Sequence, residues 1–175
     1  ASAAINIPVE EMLVCSTGTI GRRLPMDRVR KGIKLAAEAL SYDGGTAAAD
    51  AILTTDLVPK KAAVSISIDG TEVVVGGICK GSGMICPNLA TTLCFITTDA
   101  KVKQSALQAA TRAAVEKSFN RITVDGDQST NDTFVVFANG AAGCAELDEA
   151  HPEWSKFVEA LTEVATSLAK QIVMD

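Results

Sequence analysis

Lys80-Gly81-Ser82-Gly83-Met84-Ile85-Cys86-Pro87-Asn88-Leu89-Ala90-Thr91-Thr92-Leu93-Cys94-Phe95-Ile96-Thr97-Thr98-Asp99 carries three local signals in succession. A basic residue enters a Gly-Ser-Gly loop, and a Pro-Asn turn then feeds a small-residue junction, Ala90-Thr91. From that junction Thr92 to Thr98 runs as a short apolar, β-branched segment, the pattern of a buried strand. A hydroxyl on a tight turn at the mouth of a central strand is a common place for a nucleophile, because the turn exposes it and the strand holds it. A plain β-turn before a core strand has the same pattern, and the stretch alone does not separate the two.

The signals next to this stretch build a sheet. Upstream, Ala62 to Ile68 alternates with period two, Asp69-Gly70 is a tight-turn dipeptide, and Thr71 to Cys79 returns as a second strand. This hairpin delivers the chain to Lys80. Downstream, Val102, Leu107, Ala110, Ala114 and Val115 predict a helix within Lys101 to Ser118, and Phe134 to Ala138 predicts another core strand. Trp154, Phe157, Val158, Leu161, Val164, Ala165 and Leu168 share helical spacing and predict a long final helix.

Farther upstream, Pro25 precedes Val29, Ile33, Leu35, Ala36 and Leu40, which predicts a helix broken at Tyr42-Asp43-Gly44-Gly45. The Ala-rich Thr46 to Leu53 predicts a short one. Glu11 to Cys15 predicts a short buried strand ending in the hydroxyl- and glycine-rich Ser16-Thr17-Gly18-Thr19-Ile20-Gly21. Such a loop can aim backbone N–H groups at a developing anion, or be an ordinary surface turn. Strands alternating with helices, with one antiparallel hairpin, predict an α/β (α+β) fold with a mixed sheet packed by helices. No repeat or linker divides the 175 residues, so a single domain over 1–175 is expected.

Composition narrows the chemistry. With 47% hydrophobic residues the chain can build a core, and its net charge of -5 disfavours a nucleic-acid partner. No apolar run reaches the roughly 18 residues that cross a bilayer, and Ala1 to Pro8 carries no signal-peptide pattern. The five cysteines are scattered without a C-x-x-C pair, which fits a reduced, intracellular setting. A single histidine, His151, rules out a multi-histidine metal site and sits where a loop enters the final helix, beside Pro152. Asp125, Asp127 and neighbouring polar residues invite a calcium-loop reading. It fails, because Thr130 and Val136 stand where glycine and glutamate are needed. A polar elbow bonded to its own backbone fits 118–133 better.

A hydroxyl nucleophile without a histidine needs another base. The economical one is the α-amine of an N-terminal threonine, whose ordinary pKa is about 8. That demands a backbone cut just before it, and Ala90-Thr91 offers a small preceding residue.

Six blocks in collinear order then carry a specific likeness: Cys15-Ser16-Thr17-Gly18-Thr19-Ile20-Gly21 with Leu24-Pro25-Met26; Ile52-Leu53-Thr54-Thr55-Asp56; Lys80 through Ala90-Thr91 to Ala100; Ser118 to Thr133; Ala138-Asn139-Gly140-Ala141-Ala142-Gly143; and Ala169-Lys170-Gln171-Ile172-Val173. Together they resemble the bifunctional glutamate N-acetyltransferase/ornithine acetyltransferase (ArgJ) family, over nearly the whole chain. The resemblance implies a fold similar to that of the self-cleaving aminopeptidases and self-cleavage between Ala90 and Thr91. It implies that Thr91 becomes an N-terminal nucleophile whose amine is the base. Acetyl would pass from N2-acetylornithine to Thr91 and then to glutamate, by ping-pong chemistry without a metal or cofactor, with acetyl-CoA as an alternative donor. Thr17 and Gly18 would be the oxyanion donors, and Thr54 (or Thr55), Lys80 and Thr91 the substrate contacts. The two cleaved chains would stay together in a hetero-oligomer, in the cytoplasm or, for a fungal protein, the mitochondrial matrix, with no nucleic-acid or membrane partner.

Two departures bear on this. Family members are roughly twice as long, and their Gly-Glu-Gly segment beyond the end of this sequence is absent. Two other expectations therefore stand beside acetyl transfer: a self-cleaving aminopeptidase of related fold, and an inactive core that needs another chain.

Overall fold

The computed structural model describes residues 1–86 and 92–175, which form two compact units, Ala1–Ala48 and Ala49–Asp175. In the first unit, α1 (Ser2–Ile5) is followed by a 3-10 turn (Val9–Glu11) and by α2 (Met26–Glu38). Pro25 precedes the first residue of α2, where its fixed φ suits the entry and its missing N–H costs nothing. Val29, Ile33 and Ala37, four residues apart, are the half-buried positions of α2. The expected buried strand over Glu11 to Cys15 is not formed. Glu11 ends the 3-10 turn, and Leu13 and Val14 are 63% and 91% exposed. An apolar run becomes a strand only when its N–H and C=O groups find a ladder, and this one pairs with none among the described residues.

Helix α3 (Gly45–Ala51) falls where the Ala-rich stretch placed it, with Ala49 buried. The second unit then builds a four-stranded mixed sheet: β1 (Lys60–Ile68), β2 (Thr71–Lys80), β3 (Leu93–Thr98) and β4 (Thr133–Ala138), in that spatial order. The first two pairings are antiparallel and β3–β4 is parallel. The α/β class with an antiparallel hairpin in a mixed sheet is what the sequence predicts. Asp69 and Gly70 both take positive φ, 48° and 77°, the primed turn whose twist matches paired strands. The parallel pair needs a crossover, which α4 (Gln104–Lys117) supplies.

One face of the sheet packs against α4 and α5 (Trp154–Met174). Phe157, Leu161, Val164, Leu168 and Ile172 recur every three or four residues along α5 and are essentially inaccessible. They meet Val73, Val75, Cys79, Cys94 and Ile96 in one core. Gly77 leaves no room for a side chain between helix and sheet: a β-carbon there would stand 2.9 Å from Ile96 Cγ1, 3.0 Å from the Phe95 carbonyl oxygen and 3.1 Å from Leu168 Cδ1. His151 ties the hairpin to the entry of α5. Its Nε2 lies 3.0 Å from Asp69 Oδ2, while the Asp69 N–H donates to Glu153 Oε2 at 2.6 Å. The histidine is a structural clip. The 118–133 segment is the expected polar elbow, with Asp127 N–H on Asp125 Oδ1 and Asn131 N–H on Ser129 Oγ. No helix among the described residues is long and apolar enough to cross a membrane.

Candidate active site

β2 ends at Lys80, paired in register with Leu93 at the start of β3, while Lys60 at the start of β1 faces Cys79. The antiparallel geometry therefore brings two lysines to one corner of the sheet, 3% and 0% exposed. Buried ammonium groups need counter-charges. The loop after α3 supplies Asp56, and Asp175 follows α5. Lys60 Nζ donates to Asp56 Oδ1 at 2.8 Å and to Asp175 Oδ2 at 2.6 Å. Both Asp175 oxygens also accept the Leu57 N–H at 3.1 Å. Lys80 Nζ stands 3.6 Å from Asp56 Oδ2, beyond ordinary hydrogen-bond length.

Asp56 is the hub. Its fully buried carboxylate accepts Lys60, the Gly81 N–H at 2.6 Å and the Thr54 N–H at 3.2 Å. One side chain so ties the two segments that hold the expected substrate contacts, Thr54 and Lys80. A hydroxyl pair, Thr55 Oγ1 to Ser82 Oγ at 2.8 Å, joins them again. Burial raises the Asp56 pKa, but the bonds from Lys60, Gly81 and Thr54 and the charge of Lys80 outweigh it and hold the carboxyl at about 2. For Lys60, burial lowers the pKa and the Asp175 and Asp56 bonds more than reverse that, so it stays charged. Asp175 is lowered, chiefly by its bond from Lys60. Cys79, beside this corner, is pushed up to about 12 by burial and is a packing residue.

A second cluster grips the chain on both sides of the Ala90–Thr91 junction. Asp125 Oδ1 accepts the Ile85 N–H at 2.9 Å and its Oδ2 the Met84 N–H. The Ile85 carbonyl accepts the Val124 N–H and the Thr123 hydroxyl, both at 2.9 Å. On the other side Asp132 Oδ1 accepts the Thr92 N–H at 3.0 Å, and the Thr133 N–H donates to the Thr92 carbonyl at 2.8 Å. The Asp125 pKa is lowered, mainly by the Met84 N–H. That of Asp132 is raised by burial, against the Thr92 and Ser129 bonds.

Of the residues expected to act, the structure brings Thr54, Thr55 and Lys80 together around Asp56. Ala90 and Thr91 lie outside the described residues. Thr17 and Gly18 belong to the first unit, where Thr17 is half-buried and Gly18 exposed. The same loop turns at Gly21, φ 78°, with the Arg22 N–H on the Thr19 carbonyl, and Gly18, Arg22, Arg23 and Arg28 line a cavity of about 490 Å³. Sequence reasoning assigned no role to Lys60, Asp56, Asp175, Asp125 or Asp132. Asp56 and Lys60 lie four residues apart, but Asp175 is 115 residues from Lys60, a distance no local pattern spans.

A model of the ArgJ family matches residues 1–175. The chain is 52% identical over 175 residues to the arginine biosynthesis bifunctional protein ArgJ of Oceanobacillus iheyensis, covering 98% of this chain and 42% of that one. It is also 52% identical to the protein of that name from Symbiobacterium thermophilum, over 100% of this chain and 44% of that one. The chain thus spans about two fifths of the length of the curated relatives it matches. A crystal structure of ArgJ from Bacillus halodurans aligns with 45% of this chain and 37% of its own, at 50% identity and a TM-score of 0.44. Matched by the family model along its whole length and about half identical to curated members, the chain belongs to the ArgJ family.

Proposed function

We propose that this chain carries the nucleophile and part of the substrate site of an acetyltransferase of arginine biosynthesis, moving acetyl from N2-acetylornithine to glutamate. The observation that supports it most is Lys80. Its side chain is buried and held beside Asp56 at more than hydrogen-bond length, and its ammonium makes no hydrogen bond among the described residues. A nearly dry ammonium with donors to spare suits a carboxylate, which both amino-acid substrates possess. Thr54, whose backbone N–H is bonded to the same Asp56, is proposed as a second contact.

The chemistry begins at Thr91. Its hydroxyl adds to the Ala90 carbonyl carbon, the C–N bond breaks, and the freed amine takes the hydroxyl proton; water then hydrolyses the ester, leaving an Ala90 carboxylate. In the mature enzyme the Thr91 amine accepts the hydroxyl proton as the oxygen attacks the acetyl group of acetylornithine. Ornithine leaves as its amine, protonated by the same base, and the acetyl ester on Thr91 passes to the α-amine of glutamate. Thr17 and Gly18 N–H groups stabilise the oxyanion, each worth about 3 kcal/mol in such sites. No metal or cofactor takes part, and acetyl-CoA serves as an alternative donor. The two cleaved chains stay together as a hetero-oligomer.

The test is a denaturing intact-mass spectrum of the purified protein beside Thr91→Ala. Two masses that sum to the chain plus one water, broken before Thr91 and absent from the variant, are expected. Incubation with acetylornithine then adds one acetyl group to the Thr91 fragment, and glutamate removes it. An uncut chain in both samples, or hydrolysis of peptides without acetyl transfer, rejects the proposal.

A further inference from the structure

The segment between Ile85 and Thr92 is six residues, 86–91, and both of its ends are held by one loop. Ile85 and Thr92 are each 1% exposed, so the two anchor points are fixed in the core. Residues 123–125 satisfy both backbone groups of Ile85, and residues 132–133 satisfy both backbone groups of Thr92. Met84 takes a left-handed φ of 58°, unfavourable for a side chain with a β-carbon. Asp125 accepts its N–H and that of the next residue, which offsets the cost of this conformation. The Thr92 N–H that Asp132 accepts belongs to the residue directly after the proposed nucleophile, Thr91. Strand pairing does not require either carboxylate: β3 begins at Leu93, and the Thr133 N–H alone continues the ladder to Thr92.

We propose that Asp125 and Asp132 are positioning residues for self-cleavage, clamping the backbone on the two sides of the Ala90–Thr91 bond. The inference rests on the reading above that this bond is the one cut. A hydroxyl reaches its own upstream carbonyl only in a narrow set of backbone conformations. Fixing both ends of a six-residue segment removes most of the alternatives, and the saving appears as rate. The role is one of hydrogen-bond acceptance, not charge.

The experiment follows cleavage over time by intact mass in freshly synthesised intact protein, comparing the unaltered chain with Asp132→Ala, Asp132→Asn and Asp125→Ala, and monitoring thermal unfolding of each. Asp132→Ala is expected to slow cleavage about tenfold, the effect of one lost positioning bond. Asp132→Asn keeps a carbonyl acceptor for the Thr92 N–H and should stay within about threefold. Asp125 is exposed, so Asp125→Ala should fold and still slow cleavage severalfold. Unchanged rates in both alanine variants overturn the clamp while leaving self-cleavage intact. Equal slowing by Asp132→Asn and Asp132→Ala overturns it in favour of a charge effect. An unaltered chain that never cuts removes the underlying reading itself.

Discussion

At the scale of single residues, Lys60 and Lys80 look alike in the sequence and differ in the fold. Lys60 bridges two carboxylates at 2.8 and 2.6 Å, whereas Lys80 keeps 3.6 Å from one of them. Lys60→Met would leave Asp56 and Asp175 facing each other in a buried site, a loss of roughly 3–5 kcal/mol. Lys80→Met leaves Asp56 its Lys60 bond. It should cost about 1 kcal/mol of stability while abolishing tight binding of a carboxylate substrate. Urea unfolding of both variants, with substrate titration of Lys80→Met, checks this. Equal destabilisation would make Lys80 a second structural lysine. Residue type cannot reveal such a division, because only position gives one lysine two carboxylates at hydrogen-bond length and the other one at 3.6 Å.

At the scale of elements, the contact of α5 with the sheet passes over Gly77. Gly77→Ala is expected to cost about 1–3 kcal/mol, since the added methyl meets Ile96 and the Phe95 carbonyl as well as Leu168. Leu168→Ala should cost about 2–5 kcal/mol by opening a cavity. The double variant should not be rescued, because the Phe95 carbonyl oxygen, 3.0 Å away, is backbone and stays in place. A double variant more stable than Leu168→Ala alone would show that the sheet yields locally. At the tip of the β1–β2 hairpin Gly70 sits at φ 77°, a conformation that costs other residues about 1 kcal/mol or more. Gly70→Val should therefore lower the thermal midpoint by a few degrees without touching the corner that holds Lys80.

At the scale of the whole molecule, stability should follow the charges held in fixed partnerships. Asp56 is depressed to about 2, and Asp125, Glu153 and Asp175 are depressed as well. Groups lowered in the folded state contribute stability above their unfolded pKa, near 4, and lose it as pH falls through the folded value. Asp132, raised by burial, acts with the opposite sign and offsets a part of this. Lys60 is raised, so its contribution is complete below about pH 10.4 and is lost as pH climbs above it. Burial raises Cys79 to about 12, so stability also falls once the unfolded thiol ionises, above about pH 8.5. Thermal midpoints by circular dichroism should be level from about pH 5 to 8, then fall toward pH 2 and toward pH 11. A midpoint that rises between pH 5 and 3 would contradict the assigned partnerships.

Local pattern was enough for most elements. Period-two alternation with Asp69-Gly70 marks the hairpin, three-to-four spacing marks α5, and Lys80 with Thr54 falls within collinear family blocks. These are decided by neighbours along the chain, where backbone geometry and side-chain period act directly. What only the tertiary structure decided is pairing at long range: that Met12 to Cys15 takes no strand partner among the described residues, that Asp175 closes on Lys60, and that the 122–133 loop grips Ile85 and Thr92. Residues forty or more positions apart come together because the sheet and α5 bury apolar faces, and the charges carried with them must then find partners or remain in water.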